Sequence, residues 1–93
     1  MLSVNPKSPD LAQNYPNPFN PSTRIAYQIP KMSEVRLKVY DVLGREVETL
    51  VSGVQQAGRY EVIFNASRLA SGVYFYRLQA GGISQTMRMV FVK

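Results

Sequence analysis

The feature that most constrains this chain is a repeated alternation of apolar and polar residues, broken by turn residues at roughly the eight-to-twelve-residue spacing typical of all-β domains. In SEVRLKVYD, Val35, Leu37 and Val39 point one way while Arg36 and Lys38 point the other. A period of two is that of a half-buried β-strand, because successive side chains point to opposite faces of a sheet. No stretch has the period of an amphipathic helix. The pattern therefore predicts an all-β fold.

The number of strands and the length of the chain indicate the architecture. About seven short antiparallel strands in a chain of 93 residues predict one domain, an immunoglobulin-like β-sandwich with a modest core. The sequence contains neither cysteine nor tryptophan. Their absence excludes an antibody-type domain, which needs a disulfide packed on a tryptophan, but it does not exclude the architecture.

Glycines mark the predicted turns. Gly44 in DVLG is expected to take positive φ and to end a hairpin, and Gly81-Gly82 predicts a second hairpin with a primed turn. Gly53 and Gly58 flank VQQA, which is predicted to be a loop. The stretch NASRLASG predicts an irregular crossover that changes sheets, with one helical turn at Ala66–Leu69.

Two other stretches depart from simple alternation. In REVETLV, Val47 and Leu50 are three positions apart, so a bulge or bend is predicted to bring both to the core. The stretch YPNPFNPST holds three prolines, which fix φ and exclude a helix. Because Tyr15 and Phe19 are large and apolar, this stretch is predicted to lie extended against a sheet before the first long strand begins.

Composition excludes much of enzyme chemistry. With no cysteine and no histidine, the chain cannot form disulfides, thiol nucleophiles, a Ser-His-Asp triad or zinc sites built on those residues. No phosphate-binding or metalloprotease motif is present. Asp41 with Gly44 lacks the further oxygen ligands of a calcium loop, so a turn-stabilising side chain is predicted for Asp41. We predict no cofactor and no metal site.

Glu46 and Glu48 form the best candidate for catalysis. Alternate residues of a strand share a face about 6.5–7 Å apart, within the range of glycosidase acid and base pairs. Nothing nearby predicts the apolar pocket that raises the pKa of one carboxyl group. An exposed charged face is therefore favoured, and the chain is predicted not to be an enzyme.

Charge and aromatic content leave other kinds of binding open. The net charge is +5, and residues 62–93 carry four basic side chains with no acidic one: Arg68, Arg77, Arg88 and Lys93. Their wide spacing argues against nucleic acid, whereas an anionic surface or simple solubility would both fit. The aromatic residues could form a sugar-binding platform, but alternation assigns most to the core and leaves Phe75 and Tyr40 outside.

Three stretches considered together carry a resemblance: YPNPFNPST, VRLKVYDVLGREVETLV and LASGVYFYRLQAGGISQTMRMVFVK. Their order and spacing resemble the type A C-terminal sorting domain of proteins exported by the type IX secretion system of Bacteroidetes-like bacteria. The resemblance covers about residues 11–93, and residues 1–10 are then expected to be a linker from a passenger protein. It would also explain why no signal peptide precedes the domain, since that peptide would stand at the front of the passenger.

The resemblance implies a non-catalytic module of a larger secreted protein, which crosses the periplasm and the outer membrane to the cell surface. Its expected partners are the passenger, the outer-membrane translocon and a surface sortase. The positions expected to be read by the translocon are Asp41, Gly44, Arg45, Gly72, Tyr74, Leu78, Arg88, Met89, Val90 and Lys93.

The apolar last strand offers a further docking edge if it lies at a sheet border, and it suggests a homodimer through edge strands. Two alternatives remain: an accessory module that binds carbohydrate or the cell surface, and a structural immunoglobulin-like spacer, since LKVYDVLGREV alone also resembles a flagellar hook-capping domain.

Overall fold

A computed structural model describes residue 2 and residues 7–93. Half of the predicted linker, residues 1 and 3–6, therefore lies outside the described residues. The described chain forms seven strands: β1 (Asp10–Leu11), β2 (Ser22–Ile29), β3 (Ser33–Tyr40), β4 (Glu46–Gln55), β5 (Gly58–Asn65), β6 (Gly72–Ala80) and β7 (Ile83–Phe91). Within this part of the chain, no helix is long and apolar enough to cross a membrane.

The strands form two antiparallel sheets that pack as a sandwich. One has the order β1-β2-β5 and the other has the order β4-β3-β6-β7. The predicted all-β sandwich of about seven antiparallel strands is confirmed. The core between the sheets consists mainly of residues that alternation placed inward, together with Leu11, Phe19 and Ala66. Its largest fully buried side chains include Tyr27, Tyr76, Phe64, Leu37 and Met89.

The irregular strand β4 contains the predicted bulge, and in fact two. Leu37 lies opposite Val51 while the next residue of β3 lies opposite Thr49, so Leu50 is an extra residue in β4. A second shift nearer the turn makes Val47 an extra residue in the same way. Both side chains pack against the core, which strict alternation would have prevented for one of them.

The predicted turns are confirmed at two places and wrong at a third. Gly44, Gly81 and Gly82 all have positive φ, at 80°, 56° and 78°. Two consecutive positive values in a two-residue loop define the primed turn expected between β6 and β7. The loop predicted between Gly53 and Gly58 is wrong in its extent, because β4 continues to Gln55 and pairs with β3 as far as Ser33, so that only Gln56 and Ala57 connect β4 to β5.

The crossover between β5 and β6 changes sheets as predicted, but it holds no helical turn. Ala66 and Leu69 are joined by a single backbone hydrogen bond of 2.8 Å. The side-chain oxygen of Asn65 accepts a hydrogen bond from the Ser67 N–H at 2.8 Å. This contact forms an Asx turn, in which the asparagine side chain takes the place of a backbone acceptor.

The proline-rich stretch lies between β1 and β2, and we call residues 12–21 the entrance segment. Tyr15 pairs with Arg24 of β2 through two backbone hydrogen bonds of 3.0 and 2.8 Å. Phe19 pairs in parallel with Phe91 of β7, and their rings stack at 5.3 Å. The prediction that this stretch lies against a sheet is confirmed. Phe19 is buried, whereas the Tyr15 ring is 77% exposed and does not pack on the sheet.

Candidate functional site

The ten residues selected by resemblance fall into two groups by burial. Tyr74, Leu78 and Met89 belong to the core, with exposed fractions of 7%, 1% and 0%. Side chains buried to this degree cannot touch a partner while the domain is folded, so they act through the shape of the sandwich. The remaining seven lie partly or fully at the surface: Asp41, Gly44, Arg45, Gly72, Arg88, Val90 and Lys93.

The turn between β3 and β4, residues 41–45, is organised by the carboxylate of Asp41. One of its oxygens accepts hydrogen bonds from the backbone N–H groups of Leu43 and Arg45, at 2.9 and 3.0 Å. The other accepts from Nε of Arg45 at 2.8 Å, which makes an ion pair. These contacts lower the pKa of Asp41, and the hydrogen bond from the Arg45 N–H contributes more than the one from the Arg45 side chain. The turn-stabilising role predicted for Asp41 is confirmed.

The tip of this turn presents two apolar side chains that the sequence analysis did not select. Val42 is 66% exposed and Leu43 is 73% exposed. Positions in the middle of a hairpin turn point away from both strands, so neither side chain can reach the core. The sequence DVLG alone could have predicted this exposed pair, because two large aliphatic residues are uncommon where turns favour Gly, Pro, Asn, Asp and Ser.

The other surface candidates lie at the same end of the four-stranded sheet. Gly72 begins β6 opposite Phe91, close to where β7 ends. The backbone N–H of Lys93 donates to the hydroxyl of Ser71 at 3.0 Å. Because β6 is antiparallel to both neighbours, its start lies beside the end of β3, where the 41–45 turn follows. One end of the sandwich therefore gathers the turn, the start of β6 and the residues after β7.

The strand β7 lies at the border of its sheet, the condition set for a docking edge, but part of its outer edge is already occupied. Phe19 donates its N–H to the carbonyl oxygen of Val90 and accepts from the N–H of Val92, both at 3.0 Å. The Asn17 side chain accepts from the Val90 N–H at 3.0 Å, and the Gln13 side chain donates to the Arg88 carbonyl oxygen at 2.7 Å. Residues 88–92 are thus covered by the entrance segment, and a homodimer through edge strands remains a prediction.

The two glutamates weighed for catalysis are both exposed, in agreement with the charged face that the sequence favoured. The bulge at Val47 separates them and breaks the alternation on which their common face depended. Glu46 accepts hydrogen bonds from Nζ of Lys38 at 3.0 Å and from the hydroxyl of Thr49 at 2.8 Å, and these bonds lower its pKa. A general acid needs the opposite shift. Over the described residues, no cluster of three or more acidic side chains suitable for a metal ion occurs.

The outer face of the four-stranded sheet holds a second feature that the sequence analysis missed. Tyr40 and Phe75 lie on this face, as predicted, and they are direct neighbours across β3 and β6. The guanidinium carbon of Arg77 lies 4.7 Å from the centre of the Tyr40 ring, a cation–π contact. Alternation places Arg77 outside, but only the register between strands shows that it stacks on Tyr40.

Comparison with known families decides which family the chain belongs to. A family model described as the secretion system C-terminal sorting domain matches residues 13–93. The chain belongs to this family. The match begins within the entrance segment and includes both sheets except β1. No curated protein and no solved structure matches the chain.

Membership confirms the resemblance to type IX sorting domains that the three stretches carried. Domains of this family are non-catalytic in general. A sorting domain implies a passenger protein and a secretion machinery as partners, and export to the cell surface or beyond.

Proposed function

We propose that this sorting domain directs a larger passenger across the outer membrane through the type IX translocon to the cell surface, where a sortase acts on it. The observation that carries the proposal is the family match over residues 13–93. In this proposal the domain does no chemistry of its own. Its role is to present a folded surface that the export machinery recognises.

The surface that we assign to recognition is the end of the sandwich that holds the 41–45 turn. It combines exposed Arg45, the start of β6 at Gly72, and exposed Lys93 beyond β7. Arg88 and Val90 extend it along β7. The Asp41 contacts stabilise the turn in one conformation, which lowers the entropy lost when a partner binds.

Removing the tail would be a poor test of this proposal. A deletion of Thr86–Lys93 also removes Met89 and Phe91, which are fully buried in the core, so the domain would not fold. Substitutions of exposed side chains separate recognition from folding.

The test uses a fluorescent passenger with a signal peptide, fused to residues 1–93 in a bacterium with a type IX system. We expect Arg45→Gln combined with Lys93→Gln to reduce passenger at the cell surface severalfold. The matched control is Arg24→Gln combined with Arg59→Gln, which removes two exposed charges from the three-stranded sheet. Thermal unfolding of each purified domain checks that the fold is kept. Equal surface delivery by the two double variants would refute the assignment of this surface.

A further inference from the structure

The outer face of the four-stranded sheet beside the 41–45 turn forms a mixed aromatic and cationic surface. The register places Tyr40, Phe75 and Arg88 in one row across β3, β6 and β7. Lys38, Arg77 and Thr86 form the next row across the same three strands. Since Tyr74 and Tyr76 point into the core, the alternate residues of β6, Phe75 and Arg77, point outward.

Arg77 differs from Arg36 and Lys38 on the same face in having no carboxylate partner. Arg36 pairs with Glu34 at 2.8 Å, and Lys38 pairs with Glu46 at 3.0 Å. Among the residues that the structure describes, Arg77 takes part in no ion pair and its guanidinium donates no hydrogen bond. Its plane is instead held by the Tyr40 ring. The guanidinium is therefore positioned, charged and free to donate to a ligand.

A shallow depression of about 200 Å³ lies between this guanidinium and the turn. Its lining includes the apolar or aromatic residues Tyr40, Phe75 and Val42 together with Arg77 and Thr86. Asp41 also borders it, but its carboxylate is neutralised by Arg45 at 2.8 Å. The depression thus offers one fixed cation and one hydroxyl beside an apolar wall.

We propose that this depression binds an acidic segment of a partner protein. A carboxylate of the segment accepts hydrogen bonds from Arg77 and Thr86, and a neighbouring apolar side chain packs on Tyr40, Phe75 and Val42. Arg88, which also has no ion-pair partner in the described part of the chain, lies beside Phe75 and adds to the attraction. This inference deepens the proposed function, on which it rests, since it assigns the segment to a component of the export machinery.

Charge complementarity favours a protein segment over a membrane surface. Binding to anionic lipid depends on several cations spread over a surface. Here Glu34 and Glu46 neutralise two of the cations and present negative charge on the same face. A planar guanidinium beside a hydroxyl and an apolar wall matches a single carboxylate with an adjacent side chain.

The experiment is a titration of the isotope-labelled domain with a short capped peptide of alternating leucine and glutamate, followed by NMR. A peptide of alternating leucine and glutamine is the matched probe without charge. We expect saturable shifts at Tyr40, Phe75, Arg77 and Thr86, and affinity for the uncharged peptide at least about fivefold lower, because charge-assisted hydrogen bonds are lost.

Two variants test the role of the guanidinium. Arg77→Gln should weaken binding of the acidic peptide at least about fivefold. Arg77→Lys keeps the charge but not the planar fork, and should weaken it severalfold. Arg24→Gln, which removes an exposed charge from the three-stranded sheet, is the control and should leave binding unchanged. Equal weakening by Arg24→Gln, or the absence of saturable shifts at this surface, would overturn the proposal.

A vesicle-binding experiment tests whether the surface binds an anionic membrane instead of a protein segment. Vesicles of phosphatidylcholine with about a quarter phosphatidylglycerol should not bind in an Arg77-dependent manner. If they do, and the acidic peptide does not, the assignment to a protein segment is wrong.

The delivery assay distinguishes this inference from the proposed function. We expect the Arg77→Gln fusion to reach the surface less efficiently than the Arg24→Gln fusion. Normal delivery of Arg77→Gln, together with loss of peptide binding, would overturn the link between this surface and export while the sorting function stands. If every surface variant, including those of Arg45 and Lys93, is delivered normally, the proposed recognition surface itself is refuted.

Discussion

The hydroxyl of Tyr76 accepts a hydrogen bond from the backbone N–H of Asn14 at 2.7 Å, at a point where both residues are buried. The same hydroxyl donates to the carbonyl oxygen of Ala12 at 2.7 Å. Since Tyr76 belongs to β6, these bonds tie the entrance segment to the centre of the four-stranded sheet.

Replacing Tyr76 by Phe should destabilise the domain by about 1–3 kcal/mol, because a buried N–H and a carbonyl oxygen lose their partner. Urea unfolding followed by circular dichroism measures the change. Tyr60→Phe is the matched control: its hydroxyl donates to Gln56 at an exposed site, so water can replace it and a change below about 0.5 kcal/mol is expected. Equal effects of the two substitutions would contradict this account.

The stability of the domain should fall at alkaline pH. Burial raises the pKa of Tyr76 from 10.0 to about 12, so the folded state retains the phenolic proton over a range where the unfolded chain has lost it. The resulting stabilisation is complete below pH 10 and is lost as the pH rises to about 12. Burial also raises the pKa of Tyr27. Free energies of unfolding measured across this range should decline less steeply for Tyr76→Phe than for the wild type.

Phe19 should be essential for covering the edge of β7. Its ring is buried against Phe91 at 5.3 Å and meets Phe64 edge-on at 6.1 Å. Phe19→Ala should cost about 3–5 kcal/mol and speed hydrogen exchange of the Val90 and Val92 amides. Tyr15→Ala, in the same segment but 77% exposed, should change stability by less than about 0.5 kcal/mol. Unchanged exchange at Val90 in Phe19→Ala would show that the segment does not protect this edge.

The conformation of the 41–45 turn should depend on the Asp41 side chain. Asp41→Ala removes the acceptor for two backbone N–H groups, so the Leu43 and Arg45 amides should exchange faster with solvent. Asp41→Asn retains one acceptor oxygen, so the same two amides should exchange at an intermediate rate. These bonds lower the pKa of Asp41 below its ordinary value of 3.8. Protection of the two amides from exchange in the wild type should therefore be complete above pH 3.8 and be lost as the pH falls through the lower pKa of the folded state. Identical exchange in all three proteins would argue against this role.

The local pattern was sufficient to predict most of the fold. Alternation predicted the inward faces of β2, β3 and β6, and the interruption at Val47 and Leu50 predicted a bulged strand. Gly53 was misinterpreted because a glycine in a sequence indicates a loop or a strand irregularity equally well. Only the pairing of β4 with β3 decides between the two.

Contacts between distant segments could not be predicted in the same way. Nothing in the entrance segment indicates that Phe19 pairs with Phe91, since pairing of an isolated residue has no period. The stacking of Arg77 on Tyr40 depends on the register of two strands. Alternation cannot determine that register, because a shift of two residues keeps the same side chains on the same face. The candidate residues of the turn were found through family resemblance, and their division into buried and exposed groups required coordinates.

The bonds between the entrance segment and β7 also set an order of events in folding. Asn17 and Val90 are 73 positions apart, and Gln13 and Arg88 are 75 apart. We expect contacts between such distant positions to form late, since closing a long loop costs conformational entropy before the contact is gained. A chain emerging from the ribosome or from a membrane pore cannot form them until its last strand is free. Until then the aromatic side chain of Phe19 lacks its partner, and chaperones or proteases can bind the incomplete domain.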